Sequence, residues 1–579
     1  MKRRAIGLIT TICLMIGLCL LGGCAIDATP VTLVTGEGTI QSVRLLTEQP
    51  TALETVELEA LLPTLSGNVF DDDEVSLVME LNGPNDTGLS VIGFYYVPYA
   101  YGEDYTITKQ EGTPVWRFRF SPPMAGEWSF SVTLSLQGEV KETLAGFSFA
   151  VAEATDPRGF LSVEPNNKQT FQFEDGSDYT VIGQNMAWSR EDNDYAYYAE
   201  RMKLLAEGGG NFIRIWLTQW DLSLQIAGRE PDDLGGGMYR AATLDAIMAL
   251  AEQLDIYVEF CVFHHGQFST IADPVWDGCV YNQQYEGGYL ETPRDFFSDE
   301  RAKEDTKDYL RYLVARYGHS SHIMSWQLFN EADLTEHGMY PLYNWHQEMC
   351  EYIRSIDWQE HMVTSSVAGR EGVSALKCFD YVCAHWYNYG TVKNLCDMHY
   401  SRWQNFERPY FMEEVGNGRL DENLISVHQQ NWSGLMSGGP GVAANWFWIE
   451  CHYIPGYYDT FTPIRDFAVR IPWADPNRVT YPATALGDDS DEVYAVGHSG
   501  QNYAYLWVFD NAFTNDTRIQ TERASYTVSV PLENGTYTVT WINTWNGETV
   551  RTETVRAADD TITLSVPTFT RDIAVAVTQ

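Results

Sequence analysis

Two apolar segments in the middle of the chain each end in glutamate. The first ends in Asn330-Glu331, and the second ends in Glu413-Glu414. One glutamate at a strand end is more often a surface carboxylate. Two carboxylates that meet at one mouth can instead divide the roles of acid and of nucleophile or base, which is what hydrolysis of a glycosidic bond requires. Glu331 and Glu414 are therefore the predicted catalytic pair.

The elements that would position this pair alternate along residues 154–478. Short apolar strands are predicted at 181–185, 212–217, 257–263, 324–329, 362–366, 381–385, 410–414 and 443–449. Helices are predicted between them at 197–207, 242–254, 301–317, 342–356 and 395–406. This alternation predicts an α/β TIM barrel, whose strand C-termini converge on one active face. A doubly wound open sheet is the alternative, but its Gly-rich first turn is missing after residues 181–185.

The segments on either side of the barrel have a different pattern. Apolar and polar residues alternate at period two through 115–120 and 127–132, and again through 503–508 and 535–541. This pattern is typical of antiparallel strands with one buried face. It predicts an N-terminal β-sandwich over residues 45–153 and a C-terminal β-sandwich over 479–579. Each domain could bind glycan or brace the barrel, and residues 24–44 are predicted to be a linker.

The first residues have the features of an export signal. Lys2, Arg3 and Arg4 precede an apolar run over residues 5–21, and Leu21-Gly22-Gly23-Cys24 resembles a bacterial lipobox. The pattern predicts a signal peptide over residues 1–23 and a lipid on Cys24. The chain would then be exported and held by lipid on the cell surface or the periplasmic face. An uncleaved anchor is the alternative, although the apolar run is near the minimum for a membrane span.

Charge and cysteine content limit the partners and cofactors. The chain has 79 acidic and 37 basic residues and a formal charge of −42, so a nucleic-acid partner is not expected. The ten cysteines include no CxxC pair, and seven of them follow Cys24, all in the middle of the chain. That distribution is not typical of a zinc site or a disulfide framework. No metal and no cofactor are predicted.

Several motifs jointly resemble clan A glycoside hydrolases, above all the cellulase-like and mannanase-like barrels of glycoside hydrolase family 5. The matching residues are Arg214 on strand two, Asn330-Glu331 on strand four, His385-Trp386-Tyr387 on strand six, Glu414-Val415-Gly416 on strand seven and Trp446-Phe447-Trp448 on strand eight. The resemblance implies that Glu331 is the acid/base and Glu414 the nucleophile. It also implies that Asn330 contacts the sugar 2-hydroxyl and that Arg214 steadies the nucleophile. Val415 departs from the family, which usually has an aromatic residue there.

The remaining substrate-binding candidates come from the same mouth. His385 and Tyr387 follow from the resemblance. His264 and His265 are adjacent, so at most one would face the mouth, and sugar contact by His264 is expected rather than metal binding. Trp446 and Trp448 would share a face of strand eight, with Trp448 nearer the mouth as the sugar platform.

The long connection over residues 264–298 holds several aromatic residues, including Trp276, Tyr281 and Tyr285. Long loops in compact domains are usually functional or disordered, and this composition disfavours disorder. It is therefore interpreted as a wall of a glycan cleft. Packing under the N-terminal sandwich is the alternative.

Strand seven offers two adjacent glutamates, and strand alternation would send them to opposite faces. Glu414 is the expected nucleophile because it stands two residues before Gly416. Glu413 is expected to point outward toward the helices or to pair with a base at the rim. Arg214 should lower the pKa of Glu414, and the neighbouring negative charge should raise the pKa of Glu331.

These observations predict a retaining glycoside hydrolase that cleaves a β-linked glycan of β-glucan or β-mannan type by double displacement. The membrane would be contacted only through the N-terminal lipid. The alternative is a catalytically inactive glycan-binding lipoprotein at the cell surface. The residues do not distinguish hydrolysis from transglycosylation, and they leave the sugar and its linkage open.

The lipobox interpretation predicts that Cys24→Ala abolishes acylation and removes the protein from the membrane fraction. The thioether-forming side chain is absent in this variant, so no lipid can be attached. Cell fractionation of wild type and variant measures the effect. A variant that stays in the membrane fraction would show that the apolar run itself is the anchor.

Overall fold

The structure is a computed structural model that describes residues 31–102, 106–167, 169–189, 194–369, 372–417, 423–487, 492–512 and 521–579. The predicted signal peptide and Cys24 lie outside these ranges. No helix within them is long and apolar enough to cross a membrane. The seven cysteines in these ranges all carry free thiols, and all but Cys378 are buried.

The N-terminal part consists of antiparallel strands. They are β1 (Val31–Thr35), β2 (Ser42–Leu45), β3 (Val56–Leu61), β4 (Val75–Asn82), β5 (Gly88–Ile92), β6 (Phe94–Tyr96), β7 (Tyr99–Tyr101), β8 (Ile107–Gln110), β9 (Val115–Phe120), β10 (Gly126–Leu136) and β11 (Glu139–Val151). Strands β1-β2-β3-β9-β6 form one sheet, and β11-β10-β4-β5 form a second. Side chains of both sheets, such as Leu58, Phe118, Leu77 and Val132, share one hydrophobic cluster.

The segment predicted to be a linker contains two of these strands. Residues of β2 pair with β3 from Ser42↔Leu61 to Leu45↔Leu58, and β1 pairs with β2. The expectation of a linker over residues 24–44 is therefore wrong for the part that the structure describes. The apolar residues of β1 and β2 complete the edge of the first sheet.

The central part begins with a small antiparallel sheet and continues as a barrel. The small sheet contains β12 (Leu161–Val163), β13 (Phe171–Phe173) and β14 (Asp178–Tyr179). The barrel strands are β15 (Gly183–Asn185), β16 (Phe212–Trp216), β17 (Tyr257–His264), β18 (Ile323–Asn330), β19 (Met362–Thr364) with β20 (Ser366–Val367), β21 (Val382–Tyr387) and β22 (Tyr410–Gly416). The helices are α1 (Asp194–Glu207), α2 (Met238–Leu254), α3 (Glu300–Tyr317), α4 (Met339–Ile356), α5 (Val392–Asn405), α6 (Ile425–Met436), α7 (Trp448–Cys451) and α8 (Phe461–Ala468).

Residues 441–445 supply the eighth side of the barrel. Gly441 bridges Val181, and Asn445 bridges both Gln184 and Val415, all in parallel orientation. The other neighbouring barrel strands are also parallel. The predicted TIM barrel is therefore confirmed. The expected eighth strand over 443–449 is wrong at its end, because helix α7 starts at Trp448.

The barrel interior changes from apolar to polar along its axis. At the N-terminal end of the strands, Phe212, Tyr257 and Phe411 pack with Phe173 and Tyr179 of the small sheet, which plugs that end. Further along the strands lie four buried polar side chains, those of Arg214, Glu259, Gln327 and Glu413. The plug therefore leaves the C-terminal end of the strands as the polar mouth of the barrel.

The C-terminal part is again antiparallel. Its strands are β23 (Val479–Ala485), β24 (Val493–Ser499), β25 (Tyr503–Asp510), β26 (Glu522–Arg523), β27 (Thr527–Pro531), β28 (Gly535–Ile542), β29 (Thr549–Ala557), β30 (Thr561–Ser565), β31 (Phe569–Thr570) and β32 (Asp572–Thr578). Strand β25 is buried on both faces: Leu506 and Val508 join the hydrophobic cluster of this part, whereas Trp507 and Phe509 join that of the barrel. The six-stranded sheet β23-β24-β25-β32-β28-β29 thus packs directly on the barrel.

A shared carboxylate connects the N-terminal sheets to the barrel helices. Asp245 of α2 lies 2.8 Å from Arg119 of β9 and 2.6 Å from Arg316 of α3. The Arg316 side chain is fully buried, and that of Arg119 is nearly so. Burial raises the pKa of Asp245, but the two guanidinium groups outweigh it and hold the pKa well below its usual range.

Replacement of this carboxylate should destabilise the protein. Asp245→Asn leaves the buried Arg316 guanidinium without its counter-charge, while Arg119 keeps Glu57 at 3.0 Å, and loss of one partner of a buried pair costs about 3–5 kcal/mol. Chemical denaturation measures the effect as a lower midpoint of the first transition. The matched control is Glu300→Gln, which removes an exposed carboxylate paired with Lys303 and should change stability by at most about 1 kcal/mol. Equal midpoints for both variants would contradict the prediction.

Candidate active site

Glu331 reaches the mouth through a turn rather than along the strand. It follows the last residue of β18 and has left-handed backbone angles, φ 50° and ψ 51°. Such a conformation costs a residue with a Cβ about 1–2 kcal/mol, and strain of this kind is concentrated at functional sites. The Glu331 N–H donates to Ser366 Oγ at 3.0 Å, which holds the turn. Because of this turn, Asn330 and Glu331 both contact residues of the barrel interior although they are consecutive.

Glu414 lies opposite, near the end of β22. Its Oε1 accepts a hydrogen bond from Arg214 Nη1 at 2.6 Å, and its Oε2 accepts one from the Tyr387 hydroxyl at 2.6 Å. One oxygen of Glu414, one oxygen of Glu331 and a ring nitrogen of His385 all lie within 4.8 Å of one another. The two carboxyl groups are thus close enough to act on one anomeric carbon from two sides.

Arg214 connects two of the predicted site residues, Glu414 and Asn330, and two further polar residues of the barrel. Besides Glu414, its guanidinium donates to Asn330 Oδ1 at 2.7 Å, to Gln327 Oε1 at 3.0 Å and to Asn185 Oδ1 at 3.2 Å. Its side chain is completely buried. The planar guanidinium fixes the orientation of each acceptor, so the side chains of Asn330 and Glu414 keep a fixed position relative to each other.

His385 is placed between carboxylates, not at the open mouth. Its Nδ1 lies 2.8 Å from Glu331 Oε1 and 3.2 Å from Glu414 Oε2, and its Nε2 lies 3.1 Å from Glu413 Oε1. Burial lowers the pKa of His385, but the surrounding carboxylates outweigh burial and raise the pKa to about 10. The imidazole therefore carries a positive charge at neutral pH.

The pKa shifts of the two glutamates run opposite to the sequence expectation. Burial raises the pKa of Glu414, and His385 and Arg214 offset this only in part. Burial also acts on Glu331, but the hydrogen bond from His385 and the charges of His385, His265 and Arg214 hold its pKa below the ordinary value. The expectation failed because it counted Arg214 and omitted both the depth of Glu414 and the charge on His385.

Glu413 faces the barrel interior, so the expectation that it points outward is wrong. The pairing of β21 with β22 shifts register between Ala384↔Met412 and His385↔Glu414, and Glu413 is the extra residue of a β-bulge. A bulge interrupts strict alternation and allows two consecutive side chains to share a face. Both oxygens of Glu413 accept from Gln327 Nε2 at 2.7 Å.

The two adjacent histidines have different surroundings. His264 stacks on Trp216 with ring centroids 5.6 Å apart, and burial lowers its pKa to about 3. His265 begins a 3-10 turn, and its Nδ1 lies 3.2 Å from Asn330 Nδ2 and 3.4 Å from Glu331 Oε2. His265, which sequence reasoning missed, is therefore the histidine nearer the carboxylate pair. The alternation argument did not apply because the strand ends at His264.

The structure disfavours the choice of Trp448 over Trp446 as the sugar platform, because Trp448 is only 2% exposed. Trp448 is buried at the start of α7, and its Nε1 donates to the Tyr197 hydroxyl at 2.9 Å. Trp446 is only partly buried, and its backbone N–H donates to Val415 O at 3.1 Å, next to Glu414. Trp446 is therefore the better-placed candidate for a sugar platform.

Most aromatic residues of the long connection are core residues. Trp276 and Tyr281 are buried, and Phe268 stacks on Phe296 with centroids 3.9 Å apart. The interpretation of this loop as a cleft wall is therefore wrong for Trp276 and Tyr281, whereas Tyr285 is exposed. A different tryptophan, Trp220 after β16, is 46% exposed and packs edge-on against Trp188 and His264.

Comparisons with known proteins give distant relatives that cover less than half of the chain. No family model matches the chain. It is 24% identical over 259 residues to a mannan endo-1,4-beta-mannosidase A of Podospora anserina, covering 43% of the chain and 58% of that protein. It is 26% identical over 255 residues to the enzyme of that name from Aspergillus aculeatus, covering 44% of the chain and 58% of that protein. The chain thus spans somewhat more than half the length of these relatives.

A solved structure extends the likeness to nearly the whole chain. A putative glycoside hydrolase from Bacteroides vulgatus superposes with a TM-score of 0.62 and 15% identity, over 92% of this chain and all of that one. At this identity the likeness concerns the fold. Together with the relatives, it confirms that the chain resembles the family 5-like glycoside hydrolases of clan A.

Proposed function

We propose that the protein is a retaining glycoside hydrolase that cleaves β-linked mannan-type glycans. The observation that carries this proposal is the spacing of Glu331 and Glu414, whose nearest oxygens lie within 4.8 Å at the mouth of the barrel. Retaining enzymes need the shorter of the two known carboxyl separations, because one carboxylate itself attacks the sugar.

The reaction proceeds in two displacements. In the first, Glu414 attacks the anomeric carbon while Glu331 gives a proton to the departing glycosidic oxygen, and a glycosyl ester on Glu414 is formed. In the second, Glu331 takes a proton from water, the water oxygen attacks the same carbon and the bond to Glu414 breaks. Two inversions give net retention.

The contacts of Glu414 suit a nucleophile. Arg214 and the Tyr387 hydroxyl each hold one of its oxygens at 2.6 Å. These bonds fix the direction of attack, and they stabilise the carboxylate again when it leaves in the second displacement. Asn330, held by Arg214 at 2.7 Å, is positioned to contact the sugar hydroxyl beside the reacting carbon.

The proton needed on Glu331 has a short route. His385 Nδ1 lies 2.8 Å from Glu331 and 3.2 Å from Glu414, so a single N–H is within hydrogen-bond distance of both carboxylates. In this structure Glu414 is the more basic of the two. When a bound sugar displaces the proton of Glu414, that proton can pass through His385 to Glu331.

The substrate class is inferred from the relatives named as mannan endo-1,4-beta-mannosidases. The partly exposed Trp446 and Trp220 give two aromatic faces at the mouth. Aromatic faces stack on the C–H faces of sugars, so two of them suit a chain of several residues. β-Glucan is the competing substrate.

The surroundings of the barrel complete the proposal. The antiparallel sheets on both sides form sandwich domains that brace the barrel, as the buried face of β25 and the Asp245 contacts suggest. A lipid on Cys24 would hold the exported protein at a membrane surface, where soluble polysaccharide is accessible. The acidic charge of −42 disfavours anionic partners such as nucleic acid and suits a neutral glycan.

A substrate panel tests the function directly. Wild-type protein should release reducing sugar from β-1,4-mannan faster than from β-1,4-glucan, and early product should have the β-anomeric configuration by proton NMR. Glu331→Gln should lower turnover by about 10²–10⁴-fold, since it removes the acid/base. The control Glu450→Gln changes an exposed carboxylate on α7 and should have no effect. Tight glycan binding without turnover would instead support a binding protein.

Azide rescue distinguishes the two catalytic glutamates. With an activated aryl β-glycoside, Glu414→Ala should give the α-glycosyl azide, because azide replaces the missing nucleophile and inverts the carbon once. Glu331→Ala should give the β-glycosyl azide, since the ester on Glu414 still forms. The products are identified by NMR, and the opposite assignment would exchange the proposed roles.

A further inference from the structure

Resting on the proposed function, we infer that Glu413 is a positioning residue that holds His385 as an imidazolium between the two catalytic glutamates. Glu413 does not face the mouth, and its side chain is fully buried. It acts through His385 on one side and through Gln327 and Arg214 on the other.

The hydrogen-bond geometry of His385 requires two N–H groups. Its Nδ1 lies 2.8 Å from a Glu331 oxygen, and its Nε2 lies 3.1 Å from a Glu413 oxygen. Ionised carboxylates only accept hydrogen bonds, so each ring nitrogen must donate. A neutral imidazole would turn the lone pair of one ring nitrogen toward a buried carboxylate and lose that hydrogen bond. The positive ring is therefore tied to the two carboxylates that flank it.

Glu413 is itself fixed by a chain of bonds that returns to Glu414. Both of its oxygens accept from Gln327 Nε2 at 2.7 Å. Gln327 Oε1 accepts from Arg214 Nε at 3.0 Å, and Arg214 donates to Glu414 at 2.6 Å. The β-bulge at Glu413 is what brings it into this chain. One buried carboxylate thereby orients both Arg214 and His385, which contact the catalytic pair.

The charges around His385 favour its protonated form. The titratable groups near it on the packed elements are Arg214 on β16, Glu259 on β17, His265 in the turn after β17, Glu331 after β18, Cys383 and Tyr387 on β21, and Glu413 and Glu414 on β22. Burial and the charge of Glu413 raise the pKa of Glu259 well above its usual range, so Glu259 is neutral. Burial lowers the pKa of His385, but Glu414, Glu331 and Glu413 outweigh it and raise the pKa to about 10.

The pH dependence follows from this arrangement. His385 is charged below its raised pKa and loses the second proton as the pH rises through about 10. Without the Glu413 charge, fewer carboxylates counteract the effect of burial, so the pKa of His385 falls. The loss of the proton donor to Glu331 then occurs at a lower pH.

The test is Glu413→Gln, which keeps the size of the side chain and removes its charge. The ¹⁵N NMR signals of the His385 ring should show the imidazolium at pH 8 in wild type. In the variant the titration should move down by about 1–3 pH units, the effect of one close opposite charge.

The basic limb of the kcat/KM profile should move to lower pH together with the His385 titration. The kcat should fall by about ten- to a hundred-fold, as expected when a catalytic group is misplaced. KM should stay within about two-fold, because Glu413 does not face the mouth. The His385 signals are assigned by their absence in His385→Gln.

Glu259→Gln is the matched control. Glu259 lies in the same buried layer, accepts bonds from the Tyr381 and Ser325 hydroxyls and contacts Glu413, but no bond joins it to His385. The amide of the variant keeps an N–H that can donate to Glu413. Because Glu259 is already neutral, its amide should leave the His385 titration and the basic limb where they are in wild type. Thermal unfolding of both variants measures any general loss of packing.

Three outcomes are informative. A shifted His385 titration in Glu413→Gln but not in Glu259→Gln supports the inference. An unshifted His385 titration in Glu413→Gln overturns it, and so does an equal shift in both variants. A loss of activity that accompanies a loss of thermal stability does not change either conclusion. Absence of glycan turnover by wild type would refute the proposed function alone, because the ¹⁵N titration is read without substrate.

Discussion

The buried guanidinium of Arg214 is the constraint on which the rest of the site depends. A charge removed from water is tolerated only when its donors are all met by well-placed acceptors. Those acceptors come from β15, β18 and β22, as Asn185, Gln327, Asn330 and Glu414. Three strands of the barrel are thus committed to polar residues at the same height. The apolar plug below them keeps this polar layer in contact with only one end of the barrel.

The layer holds more carboxylates than cations. Glu331, Glu413 and Glu414 face Arg214 and His385, whereas Glu259 takes a proton. Burial, joined by the charge of Glu331, raises the pKa of Glu414 although Arg214 is hydrogen-bonded to it. The excess of carboxylates leaves the site with negative charge available. Under the proposed mechanism, positive charge develops on the sugar ring in the transition state, and fixed carboxylates in a water-poor site stabilise it without reorganising.

Periodic patterns in the sequence were sufficient for the elements and for the residues inside them. The parallel strands and the main helices lie within a few residues of their predicted positions, and Arg214, Glu331, Tyr387 and Glu414 converge as expected. The errors in placing individual site residues arose where a strand ends or is interrupted. The bulge at Glu413, the turn at His265 and the helix at Trp448 all break period-two alternation, and none has a compositional signal. In the loop after β17, aromatic content alone also did not distinguish residues buried in the core from residues that line a ligand cleft.

The two catalytic candidates differ in the backbone that carries them and in their exposure, and these differences correspond to their proposed tasks. Glu414 sits within a strand, and only 3% of its side chain is exposed, with both oxygens bonded. Glu331 sits on a strained turn beside the packed Phe268 loop, and 13% of its side chain is exposed. A nucleophile must approach one carbon along one line and gains from rigidity. An acid/base must meet a departing sugar and then an incoming water, and it therefore needs access from solvent. The barrel provides rigidity at strand seven, and the turn after strand four provides access.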